Sequence, residues 1–109
     1  MIKKIALVTG GFDPLHSGHI KYFESARKLA DYLVVGVNSN EWLKNKKGKY
    51  LLSHKEREVI LNALSLVDET IIFDDSDGTA VEAINDLKIK YPESKIIFSN
   101  GGDREIKNI

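Results

Sequence analysis

The sequence contains no cysteine. That excludes disulfide scaffolds, thiolate zinc sites and cysteine nucleophiles. It carries no excess of either charge, since sixteen Lys+Arg stand against sixteen Asp+Glu. Steering onto nucleic acid by bulk charge is therefore not expected. No apolar run approaches the roughly 18 residues of a spanning helix, so no membrane partner is expected. The basic start at Lys3 and Lys4 leads into an apolar run that stops at Gly10, too short for a signal core. Repeats, low-complexity stretches and interior linkers are also missing. A chain free of thiols is compatible with a cytoplasmic location.

What is present suits one globular domain over residues 1–109, with 42% hydrophobic and 29% charged residues. Ile5-Ala6-Leu7-Val8, ended by Thr9-Gly10-Gly11, reads as a buried strand. From His19 to Ala30 the spacing turns helical, with Ile20, Phe23, Ala26 and Ala30 on one face. Tyr32 to Val37 is a second strand, apolar on both faces. Asn38 to Leu52 reads as a polar, lysine-rich connection. Ser53-His54-Lys55-Glu56 is a capping box that opens the next helix. Glu69 to Phe73 is a third strand, Thr79 to Tyr91 a third helix capped by Ser76 or Asp77, and Lys95 to Ser99 a fourth strand. Alternating strands and helices predict a three-layer α/β fold, a doubly wound parallel sheet of Rossmann-like form. Ligands of such sheets sit beyond the carboxyl ends of the strands. The segments expected there are Thr9–His19, Asn38–Leu52, Asp74–Thr79 and Ser99–Arg104.

The densest of these is Thr9-Gly10-Gly11-Phe12-Asp13-Pro14-Leu15-His16-Ser17-Gly18-His19. Two glycines at a strand end permit close approach of a phosphate. His16 and His19, three apart at a helix start, lie beside free N–H groups and the positive end of the helix dipole. An anionic phosphate is the natural guest. The pattern is neither G-x-G-x-x-G nor G-x-x-x-x-G-K-[ST], so no dinucleotide fingerprint or P-loop is supported. His-x-x-His without a third ligand is a weak zinc signal, and no metal site is expected in the protein itself. The plainer alternative is a strand-to-helix turn with two surface histidines. Lys46 and Lys47 could fold over the same pocket or be solvated surface. Arg57, a cation in the first turn of a helix, suggests an anionic partner. Asp74, Asp75 and Asp77 lack calcium-loop spacing and read as loop and cap. Trp42 reads as packing and His54 as surface.

Gly11-Phe12-Asp13 followed by His16-Ser17-Gly18-His19 resembles the H-x-G-H signature of the cytidylyltransferase-like nucleotidyltransferases. Asp31–Asn40, Lys46-Lys47-Gly48, Glu56-Arg57, Val67-Asp68-Glu69 and Asn100-Gly101-Gly102-Asp103 resemble further family segments, so the likeness covers nearly the whole chain. It implies attack of a small phosphate monoester, such as glycerol 3-phosphate or a sugar phosphate, on the α-phosphate of CTP, the expected donor, or of ATP, with release of pyrophosphate. His16, His19, Lys46 and Lys47 are the implied catalytic residues. Gly10, Gly11, Phe12, Asp13, Gly18, Arg57, Gly102 and Asp103 are the implied nucleotide-binding residues, and Mg²⁺ arrives on the triphosphate. A homodimer is implied by relatives of this family. The resemblance also leaves open an adenylyltransferase of the sugar-phosphate or coenzyme type, or a non-catalytic nucleotide-binding module. The family's C-terminal Arg and Ile-Ser-Thr-Thr-like motif is not found up to Ile109, and a C-terminal segment is expected to be lacking.

Overall fold

The computed structural model describes residues 2–99. Gly102 and Asp103 lie outside them. One sheet of four parallel strands runs in the order β3-β2-β1-β4. The strands are β1 (Lys4–Gly10), β2 (Tyr32–Val37), β3 (Glu69–Ile72) and β4 (Lys95–Phe98). The helices are α1 (Ser17–Arg27), α2 (Asn40–Lys47), α3 (His54–Asn62) and α4 (Val81–Lys90).

The central strands are buried on both faces because their side chains alternate between two cores. Ala6, Val8, Leu33 and Val35 pack with Phe23, Ala26 and Leu61 of α1 and α3. Ile5, Leu7 and Val34 pack with Ala83 and Leu87 of α4. These are the three layers expected from the alternating pattern. The chain moves outward from β1 to β2 to β3, and then returns to the other side of β1 for β4. The strand order therefore reverses between β1 and β4, where such sheets open a crevice. Tyr22 of α1 closes toward that end, donating its hydroxyl to the Ser99 carbonyl at 2.5 Å. No helix among the described residues is long and apolar enough to cross a membrane.

Two readings are corrected. The segment expected as a polar connection contains α2. Ser39 Oγ caps the Trp42 N–H at 3.0 Å, and Gly48 ends the helix at a φ of 87°. Only Leu43 of this helix is buried, so it shows no apolar stripe to read. The start of α4 also differs. Its N-cap is Ala80, without a side-chain cap, while Asp77 Oδ1 accepts from Thr79 N–H and Oγ1.

Candidate active site

His16 is the N-cap of α1, and His19 is its third helical residue. His16 Nδ1 accepts the Gly18 N–H at 3.1 Å, and His19 Nδ1 accepts the His16 N–H at 3.0 Å. The two imidazoles thus form a reciprocal capping box, a task usually given to Ser or Thr with Glu. Each Nδ1 is an acceptor, so each neutral ring carries its proton on Nε2. The ring centroids lie 3.9 Å apart at a tilt of 32°. Burial first, and His16 beside it second, hold the His19 imidazole below its ordinary value of 6.5.

The neighbours explain this geometry. A Cβ at Gly18 would lie 2.8 Å from His16 Cε1, so a side chain there would push the ring off its acceptor position. Phe12 is 4% exposed and sits in the core. Its ring meets His19 edge-on at 5.0 Å and Phe23 at 5.5 Å, which fixes the His19 ring from behind. Gly10 leaves room for that Phe12 ring, since a Cβ would stand 2.9 Å from its Cζ.

A hollow of about 510 Å³ opens in front of the histidines, bordered by Gly11, Phe12, Asp13, Pro14, Trp42, Leu43, Lys46 and Lys47. A second hollow of about 340 Å³ adjoins it, sharing Trp42 and Lys46 and adding Glu41, Asn45, Asp75, Ser76 and Gly78. Trp42 therefore borders both cavities rather than serving only as packing. Lys46 Nζ lies 4.7 Å from the Trp42 ring centroid. Lys47 Nζ donates to the Asp13 carbonyl at 2.8 Å and stands 3.3 Å from Asp13 Oδ2. Both lysines ride on the last turn of α2, not on a loop, because Ser39 and Gly48 define a helix there. At that end the helix dipole favours cations.

Asp13 and Arg57 occupy positions the sequence does not reveal. The Asp13 side chain has no solvent exposure. Its Oδ2 accepts the Leu51 N–H and its Oδ1 the Leu52 N–H, each at 2.6 Å. Burial works to raise this carboxyl, but those N–H groups and Lys47 outweigh it and hold the group below its usual value. Arg57 is 1% exposed. It donates to the carbonyls of Gly11 (2.9 Å), Asn38 (2.6 Å) and Leu52 (3.0 Å) and to Asn40 Oδ1 (2.9 Å). The cation expected to meet an anionic partner thus faces carbonyl groups of the protein.

Two residues set aside as loop or surface also serve the site. Asp75, 7% exposed, accepts from Asn38 Nδ2 at 3.0 Å and from Ser39 N and Oγ at 2.8 and 2.7 Å, anchoring the start of α2. His54 is half-buried, with Nε2 3.0 Å from the Val37 carbonyl at the end of β2. Both contacts span long stretches of chain, and no local pattern announces them.

Fold and histidine turn together are those of a nucleotidyltransferase. The chain belongs to the cytidylyltransferase-like family, which matches residues 7–104. Among curated proteins it is 41% identical over 103 residues to the bifunctional protein HldE of Syntrophotalea carbinolica, covering 93% of this chain and 19% of that one. It is 38% identical over 118 residues to the HldE protein of Actinobacillus succinogenes, covering 97% and 25%. The chain thus spans about a fifth to a quarter of the length of these relatives. The crystal structure of the lipopolysaccharide core biosynthesis protein from Thermoplasma volcanium GSS1 shares the fold. It matches with a TM-score of 0.71 at 24% identity, over 96% of this chain and 100% of that one.

Proposed function

We propose that this domain transfers a nucleotidyl group from a nucleoside triphosphate to a sugar phosphate. An oxygen of the acceptor phosphate attacks the α-phosphorus, the bond from that phosphorus to the bridging oxygen breaks, and pyrophosphate leaves. No covalent intermediate with the protein is needed. The observation that carries this reading is the paired capping box. It uses both Nδ1 atoms on the backbone and leaves two adjacent Nε2–H groups as donors beside a cavity. Donors fixed in advance stabilise charge that builds on the transferring phosphate. Lys46 and Lys47 add positive charge at the same cavity. Gly10, Gly11, Phe12 and Gly18 shape the turn that receives the triphosphate, while Gly102 and Asp103 serve base and ribose.

Mg²⁺ enters this reading as part of the substrate. Its ligands in this reading are phosphate oxygens and water. The matches to HldE proteins support a sugar phosphate as acceptor. The likeness of Gly101-Gly102-Asp103 to sugar-phosphate adenylyltransferase domains supports ATP as donor. CTP, with glycerol 3-phosphate as acceptor, is the alternative, favoured by the family's cytidylyl members. Pyrophosphate release with ATP or CTP, against a panel of sugar phosphates and glycerol 3-phosphate, tests this. Release that depends on acceptor and on His16 supports the reading. No release with any pair would overturn it, and saturable nucleotide binding in that case would mark a non-catalytic module.

A further inference from the structure

The segment 48–52 links the lysine-bearing helix α2 to α3 and lies next to the histidine turn. Leu51 in it is 71% exposed, so burial of that side chain does little to hold this stretch. Two buried charges grip it instead. The Leu52 N–H is held by Asp13 Oδ1 at 2.6 Å, and the Leu52 carbonyl by Arg57 Nε at 3.0 Å. One residue is thus held at both of its main-chain polar groups, through two successive peptide units. The Leu51 N–H adds a third contact, to Asp13 Oδ2.

The other bonds of the same two residues reach the rest of the site. Arg57 also joins Gly11 after β1, Asn38 at the end of β2 and Asn40 in the first turn of α2. Asp13 lies three residues before His16, and Lys47 Nζ returns to its carbonyl. Histidine turn, strand end, lysine helix and segment 48–52 therefore meet at one carboxylate and one guanidinium. Neither side chain is exposed to a ligand, since that of Asp13 has no exposure and Arg57 is 1% exposed, although the Asp13 main chain borders the hollow. Hydrogen bonds to charged groups in such a setting are the stronger kind.

We propose that Asp13 and Arg57 form a two-point latch on the Leu52 main chain that holds the lysine-bearing segment against the histidine turn, making both positioning residues for phosphate transfer. The kinetic half of this inference rests on the proposed nucleotidyl transfer. The structural half does not.

Hydrogen exchange read by mass spectrometry tests the latch without any substrate. In the wild-type protein, peptides covering Leu51 and Leu52 should exchange slowly despite their exposed position. Exchange at the rate of an unstructured loop would overturn the proposal. In Asp13→Asn, which keeps one acceptor oxygen of two, exchange over 48–52 should rise by about tenfold or more while the strand peptides stay protected. An unchanged rate in a folded variant would overturn it. Arg57→Lys, which keeps the charge but loses the fork, should loosen the same segment and supplies the test if Asp13→Asn does not fold. If the wild-type protein transfers nucleotidyl groups, Asp13→Asn should lower kcat by about tenfold or more with KM for the triphosphate little changed. A raised KM at unchanged kcat would instead put Asp13 on the nucleotide and overturn the positioning role. Absence of any transfer would count against the proposed function and leave the exchange result to decide the latch.

Discussion

His19 Nδ1 accepts the backbone N–H of His16 at 3.0 Å, so the ring assigned to phosphate also caps the helix that presents it. Local folding uses one nitrogen of the ring, and the proposed phosphate contact uses the other. Under the proposed function, replacing His19 with Ala is expected to remove a donor to the reacting phosphate and lower the rate by about 10²–10³. It also removes a cap worth about 1 kcal/mol, which in a domain of this size lowers Tm by about 4–8 °C. His16→Ala is expected to behave alike. Steady-state kinetics with thermal melting checks this, and a folded variant with the wild-type rate would contradict it.

The same ring sets a pH dependence. His19 titrates below its ordinary 6.5 in the folded state, through burial and then through His16. Between that lowered value and about 6.5 the unfolded chain binds more protons than the folded one. Stability should therefore rise with pH through this window and be fully present above it. Protonating Nδ1 would also turn its N–H against that of His16 and open the capping box. The acid limb of the rate profile is expected below pH 6.5, with melting temperature falling in parallel. His19→Gln should flatten the stability change. A rate that climbs as pH drops through this range would run opposite to the account.

Gly18→Ala tests the seat of His16. The added Cβ would lie 2.8 Å from His16 Cε1, closer than such contacts tolerate. Alanine suits a helix better than glycine by about 0.5–1 kcal/mol, so the fold should hold. Activity should nevertheless fall by about tenfold or more as the ring leaves its acceptor position. A crystal structure of the variant with His16 unmoved and rate intact would remove Gly18 from the account.

The sheet and the histidine turn are legible in the sequence for a common reason. Ile5–Val8 and Tyr32–Val37 are short apolar runs whose burial on both faces leaves little freedom in the topology. Gly10, Gly11, His16, Gly18 and His19 crowd into one turn, so their meeting needs no long-range knowledge. Helix α2 is hidden because only Leu43 marks its buried side. The partners of Asp13, Arg57 and Asp75 are hidden for a different reason. A charged residue reads as solvent-facing unless its partners are known, and here the partners of Arg57 include backbone carbonyls up to 46 residues away.

Glu69 offers a control at the opposite end of the sheet, since it is the first residue of β3. Its Oε1 accepts from Tyr32 at 3.0 Å and Tyr91 at 2.5 Å, and its Oε2 from Lys90 at 2.6 Å. Burial works to raise its pKa, but Lys90, Tyr91 and Tyr32 hold it below 4.5. The stability it contributes is present above pH 4.5 and lost as pH falls through the lowered value. Glu69→Gln should cost about 1 kcal/mol near neutrality and weaken the acid dependence, with the rate per folded molecule unchanged. A large loss of rate in the folded variant would show a coupling that this structure does not contain.

The most direct measurement is imidazole NMR of His16 and His19 during titration with a magnesium nucleoside triphosphate. Both rings should carry their proton on Nε2 in the free protein, and both Nε2–H signals should shift on saturation with the triphosphate. Rings protonated on Nδ1, or Nε2–H signals that do not move while the triphosphate binds elsewhere, would contradict the account.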